Sequence, residues 1–344
     1  GYNDYLDLRL KLPVDYTGDV QIYYGVLNGG YADGDPGPRN LTGFDASRCF
    51  TIPNASLAKD GAFHVYRVNL SLEVWCRGQL NDLRLVPATV SGTAFEIDYL
   101  RIGDTGPVPT VNGYNSTDAP FSLQSKNFIF GWNQTAIDVV GMNAAWAKLN
   151  LRNAEEVWAH HVHKLEYPKP RWQEAGGPYK FNFYCVYGGN WSDCWTVMNV
   201  GYGELRTDPP SWTITHELTH GFQGRLSSGH VPGEYYELHA NYGREQWLKH
   251  YQALFPNQSG FAPSILGEMH LAQPIGRNYY ETWQPYLYLD TNPDNLPDVG
   301  VGTVGSSYAS WREMAPGETS IFQSLKHSLT NTNVKDLIGY YARR

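Results

Sequence analysis

No stretch of this sequence approaches the roughly 18 consecutive apolar residues that a membrane-spanning helix requires, so no span is expected. Runs of Lys or Arg are also absent. With 26 basic against 34 acidic residues, a formal charge of -8 and a pI near 5.7, the chain lacks the electrostatic footprint of a nucleic-acid or anionic-membrane binder. There is no internal repeat. The chain starts at Gly1 without Met or an apolar leader, so any export signal is expected to have been removed or not included, and the mature form to be soluble. Cysteine is scarce, with four in 344 residues, a length that accommodates two domains.

Those four cysteines fall as sequence-local pairs, Cys49 with Cys76 and Cys185 with Cys194, one pair in each half. Of the three possible pairings, only this one keeps each bridge inside one domain, so two disulfides are expected; four buried thiols are the alternative. Seven N-x-[ST] acceptors, at Asn40, Asn54, Asn69, Asn115, Asn133, Asn190 and Asn257, exceed what composition supplies by chance. Both features point to a secreted, extracellular glycoprotein, of eukaryotic origin.

Residues 1–106 read as short strands. "LDLRLKLPV", "VQIYYGVL", "FHVYRVNL", "LNDLRLVPA" and "FEIDYLRIG" alternate apolar and polar residues, with the pure loop "NGGYADGDPGPRN" among them. An all-β antiparallel sandwich is expected. The stretch with Trp75, Gly78, Leu83, Arg84 and Pro87, ending in Ile97 to Arg101, resembles the C-terminal half of jelly-roll, galactose-binding-like modules attached to secreted carbohydrate-active enzymes. The resemblance implies a carbohydrate-binding-like module with possible glycan binding. It carries over no binding residue, and a module that only supports its neighbour is the alternative.

Residues 107–120 read as a linker, rich in Gly, Pro, Asn and Thr. An α+β domain is expected over 121–344. "SKNFIFGWN", "YKFNFYCVYG" and "CWTVMNVGYGEL" suit strands, while "TAIDVVGMNAAWAKLN" and "NAEEVWAHHVHKLEY" suit helices, the second opened by Asn153 with Glu156 three residues on. "SWTITHELTHGFQGRL", "GEYYELHANYGREQWLKHYQALF" and "SIFQSLKHSL" complete the predicted helices.

In "HELTH", His216 and His220 lie one helical turn apart, so both rings can meet one ion, and Glu217 projects beside them. Zinc suits imidazole nitrogens, and a catalytic zinc takes three protein ligands plus a water that it acidifies. Glu217 would be the general base. Trp212, Ile214, Leu218 and Phe222 give the helix an apolar side to bury. A third His six residues after the second would need Gly at 223, and Gln stands there. An acid from the following helix is left, with Glu234, Glu237 and Glu245 as contenders. Glu237, with the small Ala240 three residues on, is favoured; Glu234 is the reserve.

"HELTHGFQ" followed by "YYELHANYGREQW" resembles the gluzincins, zinc metallopeptidases with H-E-x-x-H and a downstream E-x-x-A/S-[DN] helix. It is similar in particular to secreted fungal and bacterial zincin-like proteins known only as a domain of unknown function, and more distantly to plant basic secretory proteins. The resemblance spans most of residues 120–250 and implies Zn2+ on His216, His220 and Glu237, with Glu217 as base. Asn241 stands where many members have Asp, and is implied to hydrogen-bond a ligand histidine from behind.

The histidines of "AHHVHK" are expected on a partly exposed polar face, and His239 is expected to point away from the metal. Tyr235, Tyr236, Tyr279, Tyr280 and His230 are open candidates for an oxyanion donor. The expected function is a secreted zinc metallohydrolase acting on proteins or glycoproteins. The alternatives are a metal-dependent enzyme acting on polysaccharide and a glycan-binding protein with an inactive zincin domain. Nucleic acid is not an expected partner.

Overall fold

The computed structural model describes the chain apart from residues 1–4, 28–47, 74–75, 77–78, 88–91, 93, 104–107, 168, 171–178, 190–191, 195–196, 205–211, 224–232, 252–282, 316, 319 and 344. Backbone contacts divide it into two compact units, Gly1–Val108 and Pro109–Arg344.

The first unit contains six strands: β1 (Tyr5–Lys11), β2 (Val20–Leu27), β3 (Cys49–Ile52), β4 (Phe63–Asn69), β5 (Gln79–Val86) and β6 (Glu96–Gly103). They form two antiparallel sheets, ordered β4-β1-β6 and β3-β2-β5. Alternation drives this arrangement. Leu6, Leu8 and Leu10 of β1 and Val20, Ile22 and Tyr24 of β2 point to one shared core, joined by Phe50 and Ile52 of β3. The four-residue β3 is the strand that the sequence pattern did not reveal. Trp75 and Gly78, which carry part of the resemblance to sugar-binding modules, lie outside the described residues.

The second unit is built on a five-stranded mixed sheet, ordered β10-β11-β9-β8-β7. Its strands are β7 (Phe121–Gln124), β8 (Phe128–Trp132), β9 (Phe181–Tyr187), β10 (Ser192–Cys194) and β11 (Met198–Gly201). β8, β9 and β11 run parallel, while β7 and β10 are antiparallel to their neighbours. All of β8 is buried, as a central strand covered on both faces should be. The helices are α1 (Gln134–Val140), α2 (Ala144–Ala159), α3 (Trp212–Gln223), α4 (Gly233–His250), α5 (Gln284–Thr291), α6 (Ala309–Arg312), α7 (Ile321–Ser328) and α8 (Val334–Tyr341).

Several expectations need correction. Residues 109–120, read as a linker, are tied to the second unit: Lys180 N donates to Thr110 O at 2.8 Å, Asn115 N donates to the Tyr184 hydroxyl at 2.8 Å, and Tyr114 stacks on Tyr184. Asn153 does not start a helix. The break lies earlier, where Gly141 adopts φ 70° after α1 and the Asn143 side chain accepts from Ala145 N and Trp146 N to cap α2. Asn153 is therefore buried inside α2. A π-helical turn, His160–Lys164, follows α2. It carries His160 and His161 inward rather than onto an exposed face, with His161 Nε2 2.9 Å from Thr219 Oγ1 of α3.

All four cysteines are free thiols here, against the expected Cys49–Cys76 and Cys185–Cys194 bridges. In the second unit the reason is topological, because β11 stands between β9, which bears Cys185, and β10, which bears Cys194. Two strand spacings are about 10 Å, beyond the ~7 Å Cα span of a disulfide. In the first unit Phe50 and Ile52 take the core face of β3, which turns Cys49 to the other face, while Cys76 packs against the core. Burial pushes the Cys76 and Cys185 thiols up to about 12.

Candidate metal centre

Helix α3 forms because its apolar residues share one stripe. Ile214, Leu218 and Phe222, four residues apart, are all buried. The same period places His216 and His220 together on another face, and α4 packs across it. The packing is close because α4 has Gly243 opposite Thr219 and His161. The small residue at the closest approach is thus Gly243, three positions beyond the Ala240 singled out from sequence.

Three side chains converge where α3 and α4 meet. His216 Nε2 lies 2.9 Å from Glu237 Oε2, His220 Nε2 lies 3.6 Å from the same oxygen, and the two Nε2 atoms are 3.1 Å apart. Within the described residues this is the group of His, Cys, Asp and Glu side chains whose ligand atoms lie close enough to share an ion, all within 4.8 Å of one another. Glu245 lies outside it and pairs with Arg244. The side chain of Glu234 is outside the described residues, as are His230, Tyr279 and Tyr280.

The far side of each ring decides what faces the centre. His216 Nδ1 is 2.8 Å from Asn241 Oδ1, and His220 Nδ1 is 2.6 Å from Gln223 Oε1. Both partners are acceptors, so each Nδ1 can donate its ring proton there, and each neutral ring then offers its Nε2 lone pair to the centre. Two imidazole nitrogens and a carboxylate oxygen thus face one another. Such a donor set fits a small cation of borderline softness, zinc above all.

The electrostatics agree with the crowding. Burial alone would raise Glu237, but hydrogen bonds from His216 and His220 outweigh it and hold the carboxyl at about 2. Burial works against a charged His220, yet its hydrogen bond to Glu237 and the charges of Glu217 and Glu237 leave its pKa raised. Glu217 is pushed up, chiefly by burial. It is not part of the converging triad; one oxygen, Oε1, accepts a 2.9 Å hydrogen bond from Ser192 Oγ of β10. Sequence reading missed Ser192 and Gln223. Ser192 shows only as the third residue of an acceptor sequon, and Gln223 only as the residue that ruled out a third histidine.

Residues 108–297, more than half of the sequence, match the family described as "Family of unknown function (DUF6055)". The chain belongs to this family. No curated protein matches this DUF6055 member in sequence. Among solved structures, it is similar to a ZmpB metallopeptidase from Clostridium perfringens, at 12% identity and a TM-score of 0.37, over 99% of this chain and 71% of that one. It is likewise similar to the M60 catalytic domain of Clostridium perfringens ZmpC, solved with the sialyl T antigen, at 12% identity and a TM-score of 0.37, over 99% and 69% of the two chains. A functionally unknown conserved protein from Bacillus anthracis aligns at 12% identity and a TM-score of 0.34, over 98% of this chain and 66% of that one.

The remaining site residues expected in this DUF6055 chain are dispersed. Tyr235 is buried, with its hydroxyl 3.3 Å from Ser320 Oγ. Tyr236 is half-buried, its ring centroid 6.5 Å from that of His220. Of the sequons, Asn115 is exposed, Asn54 and Asn69 are half-buried, and Asn40, Asn190 and Asn257 lie outside the described residues. Asn133 is a structural amide: Oδ1 caps α1 through Ala136 N at 2.9 Å and Nδ2 donates to Val186 O at 3.0 Å. No helix among the described residues is long and apolar enough to cross a membrane.

Proposed function

We propose that this protein is a secreted zinc-dependent hydrolase, of gluzincin type, that cleaves peptide bonds in proteins or glycoproteins. One observation carries the reading: His216 Nε2, His220 Nε2 and Glu237 Oε2 converge on one point, 2.9, 3.1 and 3.6 Å apart. These three residues would hold the metal. Bound there, zinc supplies Lewis acidity, which polarises a carbonyl and acidifies water. Glu217 follows His216 in sequence and acts as the general base, taking the attacking water's proton and passing it to the leaving nitrogen. Burial raises its pKa, which strengthens it as a base, and Ser192 holds one of its oxygens in place. Asn241 orients His216, with a neutral amide where a carboxylate would make the imidazole a stronger donor.

The test combines elemental analysis with turnover. Purified protein is expected to carry one zinc per chain and to cleave members of a panel of proteins and glycoproteins. Glu217→Gln should keep the zinc and lose on the order of 10²- to 10⁴-fold in rate. Digestion of polysaccharide alone would overturn the peptidase assignment, and undiminished turnover by Glu217→Gln would overturn the assignment of the base.

A further inference from the structure

Within the anchored segment 109–120, an asparagine is followed directly by a glycine, Asn112–Gly113, and both residues are exposed. Gly113 has φ 64°, in the left-handed region that glycine enters freely. Among the described residues this pair makes a single hydrogen bond, in which the Asn112 carbonyl accepts from Asn182 Nδ2 at 3.0 Å. The side-chain amide of Asn112 and the N–H of Gly113 are left to solvent. Three residues on, Asn115 differs: its Oδ1 accepts from Thr117 N at 3.1 Å and Asp118 N at 3.2 Å, and its Nδ2 donates to Asp118 Oδ2 at 2.7 Å.

Asparagine is a thermolabile residue, and the chemistry that makes it so needs these two free groups. Hydroxide takes the proton of the Gly113 N–H, and the nitrogen attacks the Asn112 side-chain carbonyl carbon. A five-membered succinimide closes as the carbon–nitrogen bond of the amide breaks, and the departing nitrogen takes a proton from water to leave as ammonia. Water then opens the ring at one of its two carbonyls. One opening gives aspartate, and the other leaves the main chain running through the side-chain carboxyl as isoaspartate. Water enters, ammonia departs and nothing is oxidised or reduced. Glycine permits the attack because it sets no Cβ beside the attacking nitrogen.

We propose that Asn112–Gly113 is a site of spontaneous deamidation, at which the folded protein acquires an isoaspartyl linkage that loosens segment 109–120 from β9. The linkage adds a methylene to the main chain beside the carbonyl that Asn182 holds, and puts a carboxylate where a neutral amide stood. Asn182 is buried, and its Oδ1 has no partner among the described residues, so losing the Asn112 carbonyl leaves its amide without any. The other ties of the segment lie on either side of this point: Lys180 N donates to Thr110 O at 2.8 Å, and Asn115 N to the Tyr184 hydroxyl at 2.8 Å. Both should weaken with it. The inference holds with or without a metal at the centre.

The test ages the full chain at neutral and at mildly alkaline pH, and reads it by peptide mapping with mass spectrometry and by labelling with an isoaspartyl methyltransferase. The peptide holding position 112 should gain the mass difference between an oxygen and an NH and should accept methyl label. Its rate should rise in proportion to hydroxide and lie within an order of magnitude of the rate in the urea-unfolded chain. Asn112→Gln, whose amide would have to close a larger ring, should lose the label at this position. In the isoaspartyl fraction, separated by ion exchange, amide hydrogen exchange at Lys180 N and Asn115 N should quicken while the centre of β9 stays protected. An Asn112 that survives in the folded chain yet converts in the unfolded one would overturn the proposal. Conversion of Asn115 at the same pace would overturn it too, since hydrogen bonding would then not select the site. Unchanged exchange at Lys180 and Asn115 would overturn the loosening.

Discussion

Gly243 of α4 lies so close to Thr219 of α3 that a Cβ on the glycine would sit 2.6 Å from the threonine hydroxyl oxygen and 2.7 Å from His161 Nε2. Neither neighbour has room to retreat, since Thr219 donates to Thr215 O at 3.0 Å and His161 is fully buried. Gly243→Ala should therefore push the two helices apart. We expect a loss of about 1–3 kcal/mol in denaturant unfolding, together with weaker zinc binding, because Glu237 rides on the displaced helix. Unchanged stability would show that the helices are not in contact there.

Removing each converging side chain should separate metal binding from chemistry. His216→Ala, His220→Ala and Glu237→Ala are expected to purify without stoichiometric zinc, whereas Glu217→Gln keeps it. Elemental analysis of the four variants checks this, and a zinc-replete Glu237→Ala would move the third ligand elsewhere.

Asn241→Asp places a charged acceptor 2.8 Å from His216 Nδ1 in place of a neutral one. A carboxylate there increases the basicity of Nε2. Zinc affinity should rise, by up to about tenfold, as read by chelator competition. A fall would mean that the amide nitrogen of Asn241 matters more than its oxygen.

Zinc uptake should depend on pH in one direction. His220 has a raised pKa, so in metal-free protein it holds a proton that must leave before Nε2 can bind. Glu237, held at about 2, has none to release. Affinity should therefore climb as pH rises through the His220 pKa and level off above it, with a proton released on binding. Calorimetry in buffers of differing ionisation enthalpy measures that release.

Folding stability should respond to acid through His161, whose pKa burial lowers to about 3. The unfolded chain, near 6.5, takes the proton first, so this contribution is intact above about pH 6.5 and is lost as pH falls toward 3, at about 1.4 kcal/mol per pH unit. His161→Gln should flatten the pH dependence of unfolding between pH 4 and 6. An unchanged slope would show that other groups govern it.

The sequence made half of the centre readable and hid the other half for a physical reason. His216 and His220 announce themselves because helical period alone brings them together, Glu217 because it directly follows His216, and Glu237 because it lies on a second recognisable helix. Ser192 acts through a tertiary contact that no local period encodes, while Gln223, one turn after His220, carries no signal that its amide serves a ligand. The same division holds in the fold. Long alternating strands such as β1 and β2 are visible in sequence, whereas β3 and α6, with four residues each, are too short for their periodicity to register. The misplaced boundary at Asn153 arose because an Asn followed three residues later by Glu looks like a cap, while Gly141 and Asn143 supply the true break.

The order in which the centre assembles also follows from where its parts lie along the chain. The converging side chains lie only 21 positions apart, from 216 to 237, whereas the core on which α4 rests is completed by Leu289, Trp311 and Leu325 much later in the chain. A nascent chain that has emerged only as far as α4 can gather the two imidazoles and the carboxylate. The helix that carries Glu237 gains its full packing only once those C-terminal segments have docked, so a truncation before residue 290 should hold zinc more loosely.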